Sequence, residues 1–181
     1  MSSEDIKNWT QQRLEAVFTA NSDDSWNDAY SAAFAPDLAL RIANLGEGML
    51  TTEDDLPEHI IAGEGQRAES HSGDDARQAF TARMKAAATT QGSKVQWNNI
   101  NVQQGSTGTT IVEGTCTVTR SLIFRIRVTP AQVKLDVHFR AEIADTAFPK
   151  IVRYAQTVRS YRPPINLPHL PVQPRPKKME L

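Results

Sequence analysis

The chain has 181 residues, with 20 Lys plus Arg against 21 Asp plus Glu and a single cysteine, Cys116. Near-neutral charge leaves no global field to draw in nucleic acid or an anionic membrane, so neither is expected as a partner. No apolar run approaches the ~20 residues of a spanning helix, and the start MSSEDIKNW lacks the basic-then-apolar order of a secretory signal. A lone thiol cannot form an internal disulfide, and a cytoplasmic setting is the resulting expectation.

The length suits one domain. Ser2 and Ser3 ahead of Glu4 and Asp5 read as a helix start, with a hydroxyl cap and carboxylates at the positive end of the dipole. Ile6, Trp9, Leu14, Val17 and Phe18 give that helix its apolar stripe. A second start, Ser22-Asp23-Asp24-Ser25, precedes Trp26, Ala29, Tyr30, Ala33 and Phe34 on one helical face. Pro36-Asp37 is expected to end this helix, and Leu38, Leu40 and Ile42 alternate as a short strand. Residues 46–73 show no clean period and read as an irregular excursion, with a short helix near 53–61. Gly73-Asp74 opens a third helix carrying Ala76, Phe80, Met84 and Ala87, with Gly92 as its expected stop.

From residue 94 the period changes to two. Four strands are expected, at about 94–104, 110–128, 132–144 and 149–161, with Pro130 and Pro149 at turns. Residues 163–181 are proline-rich and should be extended. This tail, over 168–181, and the excursion are expected to be more mobile than the regular elements.

The order helix, helix, short strand, helix, long antiparallel meander resembles the nuclear transport factor 2-like superfamily, and within it the SnoaL-like proteins. The resemblance is carried by WNDAYSAAFAPDLALRI at Trp26–Ile42 and by SGDDARQAFTARM, which is similar to the family's third helix. It covers roughly residues 5–162, so 1–162 is expected to be one domain with 163–181 as an added tail. It implies an α+β cone, three helices packed on a strongly curved, mainly antiparallel sheet around a pocket. It also implies a homodimer and a small-molecule ligand. Family members include isomerases, dehydratases and cyclases as well as non-catalytic modules, so the pattern specifies architecture rather than chemistry. Two functions stay open: a pocket protein for a polyketide- or terpenoid-like compound, with or without catalysis, and a dimerisation or interaction module whose cone is filled.

Alternation assigns the strand faces. Val112, Gly114, Cys116, Val118, Arg120, Leu122 and Phe124 share one face, and Val133, Leu135, Val137, Phe139, Ala141 and Ile143 share its partner. The expected register sets Arg125 opposite Asp136, Leu122 opposite Phe139 and Arg120 opposite Ala141. Arg120 thus stands among apolar residues and must find an anion, backbone carbonyls or water. Its functional reading is an anionic group of a ligand. Its structural readings are an ion pair or a bulge that turns it outward. Tyr154 and Gln156 share a face with Val152 and Val158 and are candidate ligand contacts. Trp26 and Tyr30 would wall the same pocket, or serve as plain core. His138 beside Asp136 reads as outer surface, His71 as a loop histidine, Cys116 as a small buried apolar residue, and Asp37 as a rim or turn residue. No carboxylate falls on the proposed concave faces, and no catalytic residue is assigned. Four scattered histidines, one cysteine and no P-loop, GxGxxG or HExxH leave no metal or cofactor expected.

Overall fold

The computed structural model describes residues 2–47, 62–63, 68–105, 108–126 and 129–161. The expected helix at 53–61, the tail, His59 and His169 lie outside the described residues, as does most of the expected mobility.

Two capping boxes start the first helices. In α1 (Ser3–Thr19) the Asp5 amide donates to Ser2 Oγ at 3.1 Å and the Ser2 amide to Asp5 Oδ2 at 2.9 Å. In α2 (Asp23–Ala33) Ser22 and Ser25 play the same parts. Ile6, Leu14, Val17 and Phe18 of α1 and Trp26, Tyr30 and Ala33 of α2 are buried, as their spacing dictates.

The chain then enters β1 (Phe34–Glu47) directly, two residues before Pro36. The register slips between Phe34 and Ala39, so Pro36 sits in a bulge where the ladder asks for no N–H. The excursion contains a strand that its polar sequence hides, β2 (Glu69–Ser72), paired with β1 at the sheet edge. Next, α3 (Gly73–Met84) stops well before Gly92, which instead lies inside β3 (Thr90–Gln104). β4 (Thr109–Ile126), β5 (Thr129–Ala144) and β6 (Ile151–Tyr161) complete the meander.

The six strands form one curved, unclosed sheet in the order β2-β1-β6-β5-β4-β3. Every neighbouring pair is antiparallel except β1 with β6. The helices lie on its apolar face, and the core is between them. No helix among the described residues is long and apolar enough to cross a membrane.

The expected hairpin register is corrected. Arg120 pairs with Val133, Gly114 with Phe139 and Thr117 with Asp136. The chain turns between Ile126 and Thr129, earlier than Pro130, so the whole ladder slides by an even number of residues. Face assignments survive an even slide, and only partners change.

The convex face is partly covered by the chain itself. Gly63 donates its amide to Thr157 Oγ1 at 3.0 Å, and Ala62 is buried. A Cβ at Gly63 would stand 3.0 Å from Ala155 Cβ and 3.3 Å from the Arg41 carbonyl, and its φ is +77°. Both the space and the left-handed backbone require glycine here. Gly63→Ala is therefore expected to destabilise the protein by about 1–2 kcal/mol or more, measured by urea unfolding. Thr157, buried under this contact, should gain solvent access in the same variant, read as faster exchange of its amide.

Candidate functional site

The register fixes which interior side chains are neighbours. One row across the concave face runs Ile42, Gln156, Phe139, Gly114, Ile100. Beside it lies Leu40, Tyr154, Ala141, Val112, Val102, and on the other side Val158, Val137, Cys116, Trp97. Gly114 has a packing role in this lattice: Phe139 Cε1 lies 3.2 Å from where its Cβ would be.

Aromatic rings tie the sheet to the helices. Tyr154 meets Phe80 of α3 edge-on at 5.6 Å, Phe34 at 5.4 Å, and Phe139 at 6.2 Å in a stacked pair. Phe80 stacks on Trp26 at 5.9 Å, and Phe139 meets Trp97 at 6.0 Å. Such pairs favour offset and edge-to-face geometry.

Trp26 is committed to this scaffold. Its indole N–H donates to Thr81 Oγ1 at 3.1 Å on α3. Tyr30 lies between α2 and α3 with Arg77 over its ring at 5.4 Å, and its hydroxyl has no protein partner among the described residues. Burial pushes the Tyr30 phenol up to about 12, against the opposing pull of Arg77.

Tyr154 and Gln156 adjoin on β6, facing inward. Gln156 is 0% exposed and Tyr154 1% exposed. Neither atom of the Gln156 amide, nor the Tyr154 hydroxyl, pairs with a described protein group. The indole N–H of Trp97 is in the same condition. Burial, with a smaller effect of Cys116, raises the Tyr154 phenol well above its usual range, so it remains a hydrogen-bond donor at neutral pH. Burial also pushes the Cys116 thiol up to about 12, which leaves it unreactive.

Arg120 faces inward at 8% exposure, without turning out through a bulge. It makes no ion pair with a described carboxylate. Its Nη2 donates to the Met84 carbonyl, the last of α3, while its Nε–H has no described partner. Burial alone pulls the guanidinium down to about 10, so it stays charged at neutral pH. The strand register sets it well away from Tyr154: Val133 faces Arg120 and Ala141 faces Tyr154 along β5. The helix α3 spans the two, with Phe80 on Tyr154 and Met84 one turn later on Arg120.

The remaining candidates lie outside this interior. Asp136 accepts from Thr117 Oγ1 at 2.9 Å on the convex face, and burial raises its pKa. His138 Nε2 stands 3.8 Å from Glu113 on the same face. His71 sits in β2, 3.3 Å from Glu69, which also binds Arg83 of α3. Asp37 is exposed. Among the described residues no group of His, Cys, Asp and Glu could hold a metal ion.

Sequence reasoning passed over Trp97, Ser93 and Thr90. The parity of Trp97 with Val95 was a usable signal, but a bulge between Trp97 and Asn99 interrupts it. Thr90 fell within the expected third helix and Ser93 in the link to the expected strand, so neither had an assigned strand face.

No protein-family model matches the chain, and no curated protein gives a significant sequence match. Solved structures do match. The calcium/calmodulin-dependent kinase II hub of S. rosetta is similar at 14% identity and TM-score 0.50, over 86% of this chain and 95% of that one. A hexachlorocyclohexane dehydrochlorinase from Novosphingobium barchaimii matches at 9% identity and TM-score 0.49, over 95% and 98%. Likeness at these identities concerns the fold, which has the nuclear transport factor 2-like architecture.

Loss of the Arg120 contact orphans a buried helix-terminal carbonyl. Arg120→Met is expected to cost about 1–3 kcal/mol in urea unfolding, and Arg120→Lys less, because an ammonium keeps a donor near Met84.

Proposed function

We propose that this chain is a SnoaL-like pocket protein that binds a mostly apolar, uncharged, oxygenated small molecule through Gln156 and Tyr154, with Tyr30 at the helix side. The observation that carries this is the Gln156 amide, fully buried with both polar atoms unpaired by described protein groups. Such a group costs about 1–3 kcal/mol unless something complements it. The amide offers one acceptor and two donors, and Tyr154 offers a hydroxyl. Their complement is a ligand with a carbonyl and a hydroxyl on an apolar frame, as in a polyketide- or terpenoid-like compound. The flanking rings supply the apolar contact.

An isomerase, cyclase or dehydratase also needs a group that moves a proton. Among the described buried residues Thr10, Thr90, Thr157 and Gln156 do not titrate, and Arg120, Tyr30, Tyr154 and Cys116 titrate well above neutrality. What Tyr154 and Gln156 can supply is hydrogen bonding to a carbonyl oxygen, so binding is the function this interior supports best. The second reading, a non-catalytic interaction module with a filled cone, draws on the unbroken ring contacts from Trp26 through Phe80, Tyr154 and Phe139 to Trp97. Under either reading, 1–162 is the working domain, the proline-rich tail is an appendage, and the setting is cytoplasmic.

Gln156→Leu separates the two readings. Pocket binding predicts that wild-type protein from its own host retains a small molecule in native mass spectrometry. The variant should lose that molecule, with stability unchanged or raised. No retained molecule in the wild type, together with a several-kcal/mol loss in the variant, would instead place the amide in a protein-held network of a filled cone.

We also infer a homodimer through the convex face of β3–β5. The Ala62–Gly63 contact covers Ala155 and Thr157 of β6, whereas Ile123 of β4 stays 59% exposed. Sedimentation should give twice the chain mass at micromolar concentration, and a monomer there would reject this assembly.

A further inference from the structure

We propose that Arg120, Ser93 and Thr90 form a second binding site, one that takes the carboxylate of an apolar organic acid. It shares no residue with the Gln156–Tyr154 site and does not depend on that reading. Three buried polar atoms define it: Arg120 Nε, Ser93 Oγ and Thr90 Oγ1, none with a hydrogen-bond partner among the described residues. Ser93 is the direct cross-strand neighbour of Arg120, and Thr90 faces Leu122 in the adjoining row of the same face. Directly opposed antiparallel residues hold their Cβ atoms about 5 Å apart. The three groups therefore converge at the corner where α3 ends and β3 begins.

Their chemistry selects an anion. A guanidinium has five N–H donors and no acceptor, and only the donation to Met84 is met by the described protein. Two hydroxyls add donors. No carboxylate among the described residues neutralises the cation. The charge balance selects a monoanion, since one guanidinium matches one carboxylate and a dianionic phosphate would leave a net charge buried. The neighbouring row, Val95, Val118 and Leu135, together with Val133, provides an apolar wall for the rest of the acid.

Ser93 and Thr90 take no part in the Arg120–Met84 contact, so the site can be emptied of hydroxyls with the helix end intact. The test is thermal unfolding at constant ionic strength with sodium hexanoate, neutral hexanamide or inorganic phosphate as the probe. Hexanoate should raise the Tm of the full chain saturably, hexanamide should not, and phosphate should do less than hexanoate. A Thr90→Val/Ser93→Ala variant should weaken hexanoate binding about tenfold or more, the loss expected for unmade hydrogen bonds to a charged group. Ser93→Ala alone, a milder change, should lose part of the affinity, which keeps the test valid should the double variant fold poorly. The site is overturned by a hexanamide response equal to that of hexanoate, by a larger phosphate response, by no hexanoate response, or by unaltered hexanoate affinity in Ser93→Ala.

Discussion

The guanidinium of Arg120 on the Met84 carbonyl joins β4, next to the β3 edge of the sheet, to the end of a helix, and much of the interior is placed by that contact. A helix leaves its last carbonyls without internal partners. Here the donor arrives from β4, far away in sequence. Lys85 then closes back on Thr81, Thr90 donates to the Ala87 carbonyl, and β3 begins. One turn before Met84, Phe80 meets Trp26, Phe34 and Tyr154. Moving the end of α3 would therefore move the ring that links both helical and sheet walls of the interior.

The described carboxylates of β4 and β5 lie on the convex face. Asp136, Glu113, His138 and Glu142 lie on the convex side, paired with Thr117, each other or Arg153. Among the described residues the interior that the sheet encloses holds phenols, an amide, an indole N–H, the Thr90 and Ser93 hydroxyls and one cation, Arg120. Groups of this kind recognise a ligand by complementary hydrogen bonding and do not exchange protons near neutral pH. The proposed uncharged, oxygenated group near Gln156 and the proposed acid near Arg120 would thus be held by hydrogen bonding rather than by proton transfer.

The two-residue period was enough to place the four meander strands and their inward faces, and through them to single out Arg120, Tyr154 and Gln156. It could not fix partners, because any even slide of β4 on β5 preserves the alternation. Between the paired residues Ile126 and Thr129 the sequence has Arg and Val rather than glycine or asparagine, so Pro130 was the more visible marker. The end of α3 was hidden for a related reason. Ala86, Ala87 and Ala88 continue a good helical sequence, and the contact that meets the carbonyl at the helix end comes from distant Arg120. With that boundary misplaced, Ser93 and Thr90 could not be seen as neighbours of Arg120. β2 was invisible because its strand conformation comes from pairing with β1, with no apolar alternation of its own.

The parallel pair of β1 and β6 carries a consequence for how the chain reaches this state. β6 lies between β1 and β5, near the middle of the sheet, yet it is the last strand in sequence. Phe34 pairs with Ile151, and all of β2 through β5 intervenes in the chain. Such distant pairings demand loop closure before they return any contact energy, which slows folding. During synthesis, β1 with β2 and the β3–β4–β5 meander would exist as two half-sheets with open inner edges until β6 emerges to join them. Those edges are the exposed, pairable strands of an incomplete chain, so the nascent protein's most vulnerable surface is the seam that later bears Tyr154 and Gln156.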